Sequence, residues 1–275
     1  MSNKKTWFIT GASKGLGLSL VKQLLSQGYQ VAATSRSLQD LTSAVSDSHA
    51  DFLPLTADLK STDSVEKAVS AAIDHFGKID VVLNNAGYGL AGSLGELTDK
   101  EARENFDINV FGSLNVIRSV MPHLRKQRSG HIYNVSSIAG FTGQFPGFGI
   151  YCATKFAVDG LTETLATEAR PFGITATIVA PGYFRTSFLT ADSLRVPANE
   201  IAAYEDVRKA QSAHQHEING NQLGDPEKAV AVMIEVAASP NPPMHLFLGQ
   251  DAYDLAYAKM DALQQEMDTW KAIAT

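Results

Sequence analysis

The sequence predicts an α/β protein, a doubly wound parallel sheet of seven strands in a single domain spanning 1–275. Three observations carry this. Short apolar runs rich in β-branched residues alternate with amphipathic stretches, the pattern of βαβ units around a parallel sheet. A glycine-rich turn joins the first such run to the first amphipathic stretch. No linker rich in Pro, Gly or Ser divides the 275 residues, a length compatible with one large domain or two small ones.

The strands are expected near Thr6 to Thr10, Gln30 to Thr34, Asp51 to Leu55, Asp80 to Leu83, Gly130 to Val135, Thr175 to Ala180 and His245 to Leu248. Between the first two, Leu16, Leu20 and Leu24, with Val21 and Leu25, fall at helical spacing, and Gly28 stands where a C′ glycine stops a helix. Further helices are predicted over Asp63 to Phe76, Asp99 to Leu124, Tyr151 to Phe172, Pro226 to Ala238 and Asp251 to Ile273. The rhythm breaks between Ser187 and Gly224, a polar, mixed segment after the sixth strand. Ligands of open α/β sheets sit beyond the carboxyl ends of strands, so this insertion, about 187–224, reads as a lid or substrate loop; the other reading is a surface excursion. The chain then runs on past the seventh strand as a helical extension, about 250–275. There Tyr253, Ala256, Met260, Leu263, Met267, Trp270 and Ala274 form a narrow apolar seam, expected to be buried against its own domain or another subunit.

Composition narrows the function. Hydrophobic residues are 44% and charged residues 19% of the chain, which excludes collagen-like, coiled-coil and disordered classes. With a formal charge of −6 the chain has no global positive field for phosphate backbones, so nucleic acid is not an expected partner. Cys 1 makes a disulfide framework impossible and suggests a reducing compartment. The amino end is polar, and its first apolar stretch meets Gly11 before it could form a signal or membrane segment. A cytoplasmic protein without a membrane partner is expected.

Thr10-Gly11-Ala12-Ser13-Lys14-Gly15-Leu16-Gly17 follows the first strand and opens a helix. Strand, glycine turn and helix amino end make a dinucleotide site of Rossmann type: glycines let the backbone approach a pyrophosphate, and unpaired N–H groups and the helix dipole attract it. The spacing is G-x-x-x-G-x-G rather than G-x-G-x-x-G, so the position after the first strand carries more weight than the glycines alone. The second strand ends Ala33-Thr34-Ser35-Arg36-Ser37, with no carboxylate before Asp40. An acid there would bind the ribose 2′-hydroxyl of NAD; Arg36, supported by Lys14, instead suits a 2′-phosphate, so NADP(H) is preferred over NAD(H). A solvated arginine is the plainer reading. Asn84-Asn85-Ala86-Gly87 follows the fourth strand and could line the adenosine side. Ser137 closes the fifth strand, and Tyr151 and Lys155 share one helix face, about 6 Å apart at the backbone. A neighbouring ammonium favours the phenolate, and a serine hydroxyl can stabilise a developing oxyanion.

Taken together, these motifs and Pro181-Gly182-Tyr183-Phe184-Arg185-Thr186 resemble the short-chain dehydrogenase/reductase family, in its single-domain branch, over Lys4 to Thr186. The resemblance implies that Tyr151 exchanges the proton, that Lys155 also holds the nicotinamide ribose, and that Ser137 orients the substrate oxygen. It implies that Asn109 supports a relay water near Lys155, that Asp58, beside Leu59, contacts adenine, and that Thr186, after Pro181 and Gly182, contacts the carboxamide. The interval from Ser137 to Tyr151 is one residue longer than usual, which makes Ser136 an alternative, although Ser137 alone fits S-x-x-G with Gly140. The stretches around Tyr151 and His245 are similar to 17β-hydroxysteroid and retinol dehydrogenases. The family also implies a possible dimer or tetramer.

The function expected is therefore reversible hydride transfer between NADP(H) and a small ketone or aldehyde. Phe141, Phe145, Phe148, Phe184, Phe188 and Leu189 suggest an apolar substrate. The alternatives are an epimerase or dehydratase retaining its nucleotide, and a nucleotide-sensing regulator without catalysis. His214 and His216 lack companions for a metal site and read as a solvated loop, and Cys152 as a small, partly buried filler.

Overall fold

The computed structural model describes residues 4–45 and 49–275; residues 1–3, part of the amino end read as polar, and residues 46–48 lie outside it. Its strands are β1 (Thr6–Thr10), β2 (Gln30–Ser35), β3 (Phe52–Thr56), β4 (Val81–Asn84), β5 (Gly89–Leu90), β6 (Gly130–Val135), β7 (Ile174–Pro181), β8 (Leu194–Arg195) and β9 (His245–Leu248). The helices are α1 (Gly15–Ser26), α2 (Leu38–Val45), α3 (Thr62–Phe76), α4 (Asp99–Phe106), α5 (Ser113–Gln127), α6 (Gly149–Ala169), α7 (Glu205–Ser212), α8 (Pro226–Ala238) and α9 (Gln250–Ala274). Seven strands form one sheet in the order β3-β2-β1-β4-β6-β7-β9, and every pairing in it is parallel. The expected single-domain, seven-stranded α/β sheet is the fold observed.

Alternation along β1 shows why both faces must be covered. Trp7 and Ile9 join Leu20 and Leu24 of α1, Leu41 of α2 and Met233 of α8 in one apolar cluster. Phe8 points the other way, into a cluster with Val69 of α3, Val120 of α5 and Leu165 of α6. Each fully buried leucine of these clusters contributes about 2 kcal/mol of transfer free energy. The helix ends are written locally. Ser61 caps α3 by accepting from Ser64 N–H, Thr98 and Glu101 form a capping box on α4, and Asp225 caps α8 with Pro226 in its first turn. Gly28 turns the chain out of α1 at φ +78°.

The structure corrects the expected elements at several points. The helix predicted over Asp99 to Leu124 is interrupted: a wider π-helical turn, Asp107–Gly112, separates α4 from α5. Such a turn inserts a residue and re-aims the side chains around it, and here it buries Asn109. The sequence pattern does not predict helix α2, because only Leu41 and Val45 of its eight residues reach the core. The 187–224 segment folds in part: β8 pairs with β5, and α7 runs into a second π-helical turn, Ala213–Ile218. The seam on α9 is buried only at its start. Ala252 and Ala256 are covered, whereas Tyr253, Met260, Leu263, Met267 and Trp270 are between 43% and 63% exposed.

Candidate functional site

The chain order turns back between β1 and β4, and the strand ends on either side of that switch open a crevice. The cleft has a volume of about 790 Å³ and runs from the α1 amino end, past Tyr151, to the 187–224 segment. Gly11, Ser13, Lys14, Gly15 and Leu16 line its first part, with Arg36 and, across from them, Asp58 and Leu59. The turn folds this way because its glycines are required. Gly11 has φ +66° and Gly15 φ +58°, and a Cβ on Gly11 would lie 2.7 Å from Ala86 Cα. Gly17 is buried below the cleft, where a Cβ would stand 2.6 Å from both Asn85 Nδ2 and Gly11 O. Asn85 Nδ2 donates to Thr10 O at 3.0 Å and Gly11 O at 2.9 Å, so the end of β4 braces the turn. Thr10 Oγ1 accepts from Asn85 N and Ala86 N at 3.1 and 3.2 Å. This bracing role of Thr10 was not legible from the motif.

Helix α1 begins at Gly15, and Lys14 before it supplies no side-chain cap. No side chain caps the first N–H groups of the helix, and Gly15 and Leu16, which carry the first two, line the cleft, as suits an anionic pyrophosphate. The absence of a Cβ at the turn, the uncapped helix and the cationic Lys14 and Arg36 at the rim make this end suitable for a dinucleotide. Asn85, Ala86 and Gly87 line the middle, and Pro181, Gly182 and Thr186 the far wall. Thr186 lies opposite the turn, its Cβ 3.6 Å from where a Cβ on Gly15 would be.

Tyr151 and Lys155 share the buried face of α6, at 7% and 5% exposure. Lys155 Nζ donates to Val135 O at 2.8 Å and lies 5.7 Å from the Tyr151 ring centre. Burial raises the Tyr151 phenol above its ordinary pKa, partly offset by a hydrogen bond with Ser137. Burial lowers Lys155 to about 8, against a partial upward pull from Asp159. The depression of the phenol expected from Lys155 is not what this structure gives: desolvation dominates, and the opposing influence comes from Ser137. Ser136 Oγ instead donates to Lys155 O at 3.4 Å, and Ser136 bonds Asp159. Of the two serines, Ser137 is the one that meets the phenol.

Asn109 does not line the cleft. Its Oδ1 accepts from Tyr88 N at 3.0 Å and its Nδ2 donates to Tyr88 O and Thr154 Oγ1 at 3.0 and 3.2 Å, directly behind Gly87. Phe145, Phe148, Phe184, Phe188 and Leu189 do line it. Phe141 does not; its ring packs 5.4 Å from Phe247 under α9. His214, expected in a solvated loop, instead lines the cleft, 4.6 Å from the Phe148 ring. Tyr88, Tyr183, Arg195 and Gln222 also line it; Tyr183 lies in the Pro181-to-Thr186 stretch and Arg195 and Gln222 in the segment read as a substrate loop, but the sequence singles out none of the four as a site residue. Cys152 is buried and its thiol is pushed up to about 11.

Comparison with known proteins agrees with this geometry. Residues 5–195 match the family described as short chain dehydrogenase. The oxidoreductase BOA17 of Botryotinia fuckeliana (strain B05.10) is 33% identical over 98% of each chain. A 3-ketodihydrosphingosine reductase of Bacteroides thetaiotaomicron is 36% identical over 88% of this chain and 86% of its own. Among solved structures, a short-chain dehydrogenase from Streptomyces avermitilis superposes with TM-score 0.88 at 31% identity over 98% of each chain. ElxO with NADP bound has TM-score 0.73 at 26% identity, covering 89% of this chain and 97% of its own. A 3-ketoacyl-(acyl-carrier-protein) reductase from Brucella melitensis complexed with NADH has TM-score 0.75 at 25% identity, covering 90% and 97%. A family match over most of the chain, joined to end-to-end similarity with an oxidoreductase and a solved dehydrogenase, identifies the chain as a member of the short-chain dehydrogenase family of oxidoreductases.

Proposed function

We propose that the protein is an NADP(H)-dependent carbonyl reductase and alcohol dehydrogenase for a small, mainly apolar ketone or aldehyde. The observation that carries this is the convergence of Ser137, Tyr151 and Lys155 in one cleft with an uncapped, glycine-lined helix amino end. Gly11, Ser13, Lys14, Gly15 and Leu16 would hold the pyrophosphate, Arg36 and Lys14 the 2′-phosphate, Asp58 and Leu59 the adenine, and Pro181, Gly182 and Thr186 the nicotinamide side. The bound nicotinamide supplies the hydride in reduction and accepts it in oxidation.

The chain's own residues handle the proton. Tyr151 gives its phenolic proton to the carbonyl oxygen as charge develops there, and Ser137 donates a hydrogen bond to the same oxygen. Lys155, cationic below about pH 8, stabilises the phenolate left behind and would hold the nicotinamide ribose. Asn109, held behind Gly87, keeps the Tyr88 backbone and α6 in register and is suited to support a relay water beside Lys155. The 187–224 segment acts as a lid over the substrate end, and its phenylalanine and leucine side chains select an apolar body. A relative acting on 3-ketodihydrosphingosine supports an apolar ketone. The similarity to 17β-hydroxysteroid and retinol dehydrogenases belongs to the same reading. So do a cytoplasmic location, supported by the single, buried cysteine, and a homo-oligomer, supported by the exposed apolar residues of α9.

The test is an NADPH-oxidation screen over ketones and aldehydes, with NADH run beside it and Tyr151→Phe as control. The expected result is NADPH-dependent turnover that falls at least about a hundredfold in the variant, with NADPH binding retained. Undiminished turnover in Tyr151→Phe would remove this residue from the mechanism.

A further inference from the structure

The substrate end of the cleft is walled mainly by Phe145, Phe148, Phe188 and Leu189, yet Tyr183, His214 and Gln222 interrupt that apolar wall. Their hydrogen bonds can be followed atom by atom. Ala210 O can only accept, so His214 Nδ1 carries the proton that donates to it at 2.7 Å. In the neutral ring Nε2 then accepts the Tyr183 hydroxyl at 2.8 Å. With its proton spent on His214, Tyr183 Oη presents lone pairs and no donor. Gln222, only 4% exposed, uses Oε1 to accept from Gly220 N at 2.9 Å, while its Nε2 is buried with no partner among the described residues. A buried amide nitrogen without an acceptor calls for an explanation, since desolvating it unpaired costs free energy.

The wall is also fixed in place. Arg185 donates to Gln222 O at 2.8 Å, and Asp251 Oδ2, at the start of α9, accepts from Tyr183 N at 2.7 Å. The wall therefore holds one fixed acceptor, Tyr183 Oη, and one unspent donor, the buried Gln222 Nε2, in apolar surroundings. Of common substrate groups, a carbonyl or ether oxygen could use only the donor and an ammonium only the acceptor. A hydroxyl uses both.

We propose that the substrate carries a hydroxyl group in addition to the carbonyl that reacts, and that Tyr183 Oη and Gln222 Nε2 receive it. The substrate class is a hydroxyketone with an apolar body. This rests on the oxidoreductase reading above and deepens it.

The experiment uses unbranched methyl ketones of graded chain length, each assayed with and without a terminal hydroxyl, on the full-length protein with NADPH. A purely apolar wall penalises an added hydroxyl at every length, because the group must leave water without a partner. The proposed subsite reverses that sign at the length that reaches it, raising kcat/KM by about tenfold. Tyr183→Phe and Gln222→Leu should each bring the ratio between the paired ketones down toward one, with folding checked by thermal melting and NADPH binding. A hydroxyl that never raises kcat/KM, or a preference that persists in both variants, overturns the subsite while leaving the oxidoreductase reading intact. Turnover of no ketone in the series, with or without hydroxyl, overturns the oxidoreductase reading and this inference with it.

Discussion

Lys155 is a buried cation whose charge depends on its neighbours. Desolvation lowers it to about 8, and the carboxylate of Asp159, one helical turn along α6, pulls the other way. Asp159 is itself raised to about 6, chiefly by burial and against hydrogen bonding from Ser136. Above about pH 6 the carboxylate is charged and favours the ammonium; Asp159→Asn removes that support, so Lys155 loses its proton at lower pH. The basic limb of the kcat/KM profile, which reports free enzyme, should therefore move toward lower pH in Asp159→Asn. A limb that stays put would separate Asp159 from the site's electrostatics. On the NADP(H) reading proposed above, Arg36 selects the coenzyme. It lines the cleft with Lys14 at the end of β2, and Arg36→Asp turns a charge-assisted contact into repulsion of a 2′-phosphate while offering a ribose hydroxyl an acceptor. The ratio of kcat/KM for NADPH to that for NADH should invert, softened by Lys14; a parent enzyme that already prefers NADH would contradict this account of the strand end.

Neighbouring elements set two further properties. Between β6 and β7, His131 Nε2 donates to Thr177 Oγ1 at 2.9 Å, because the Thr177 proton is spent on Pro243 O at 2.7 Å. Burial, and secondarily Lys5, lowers this imidazole from 6.5 to about 4. Between those values the unfolded chain binds a proton that the folded chain refuses, so this contribution is complete above about pH 6.5 and is lost as pH falls toward 4. The shift corresponds to stability on the order of 3 kcal/mol. Urea unfolding at pH 7 and pH 4.5 should show this loss, and His131→Asn should flatten the difference between the two. Helix α9 behaves differently along its length. Its first two turns bury Ala252 and Ala256 and supply Asp251 to the cleft wall, while Met260, Leu263, Met267 and Trp270 farther along stand exposed. Ending the chain after Ala258 should change the melting temperature by only a few degrees, and a smaller mass by light scattering for the same cut would place the exposed stripe between copies of the chain.

In the assembled molecule, the 187–224 segment is both cleft wall and attached strap. Glu96, with a fully buried side chain, accepts from Ser93 N, from Ile201 N and from Arg208, the last at 2.7 Å. Burial pushes its carboxyl up, but the hydrogen bonds from Ile201 and Ser93 and the charge of Arg208 outweigh it and hold it below the usual range. Removing that charge leaves Glu200 as the carboxylate paired with Arg208, beside its hydrogen bond to Gln211. In Glu96→Gln, limited proteolysis between Arg195 and Arg208 should quicken, and the parent should be protected when NADPH and a substrate analogue are added together. Cleavage that ignores both the substitution and the ligands would describe a passive surface excursion rather than a lid.

The sheet was legible because each of its strands is a local signal. A run such as Thr6–Thr10 is apolar on both faces whatever follows it, and only a parallel, doubly covered sheet buries such runs. The glycine turn and the Tyr151 and Lys155 pair were legible for the same reason, since backbone room and the helical repeat are short-range properties. Helix α2 was not, because two buried residues are too few to set a period. The interruption before α5 was hidden for another reason: Asn109 is held by Tyr88, far along the chain, and that hydrogen-bonded pair forms only once α4 meets β5. Five of the six apolar side chains expected at the substrate end do wall it, whereas the polar members of that wall depended on tertiary structure. His214 and Gln222 reach the cleft because the excursion folds back onto β5 through β8, whereas Phe141, nearer to Tyr151 in sequence, is drawn under α9 by Phe247. The amino-acid order thus specified the fold, the glycine turn and the pairing of Tyr151 with Lys155 through local periodicity and backbone room, while the polar side chains that join the apolar wall were set by contacts between distant segments, which no local pattern encodes.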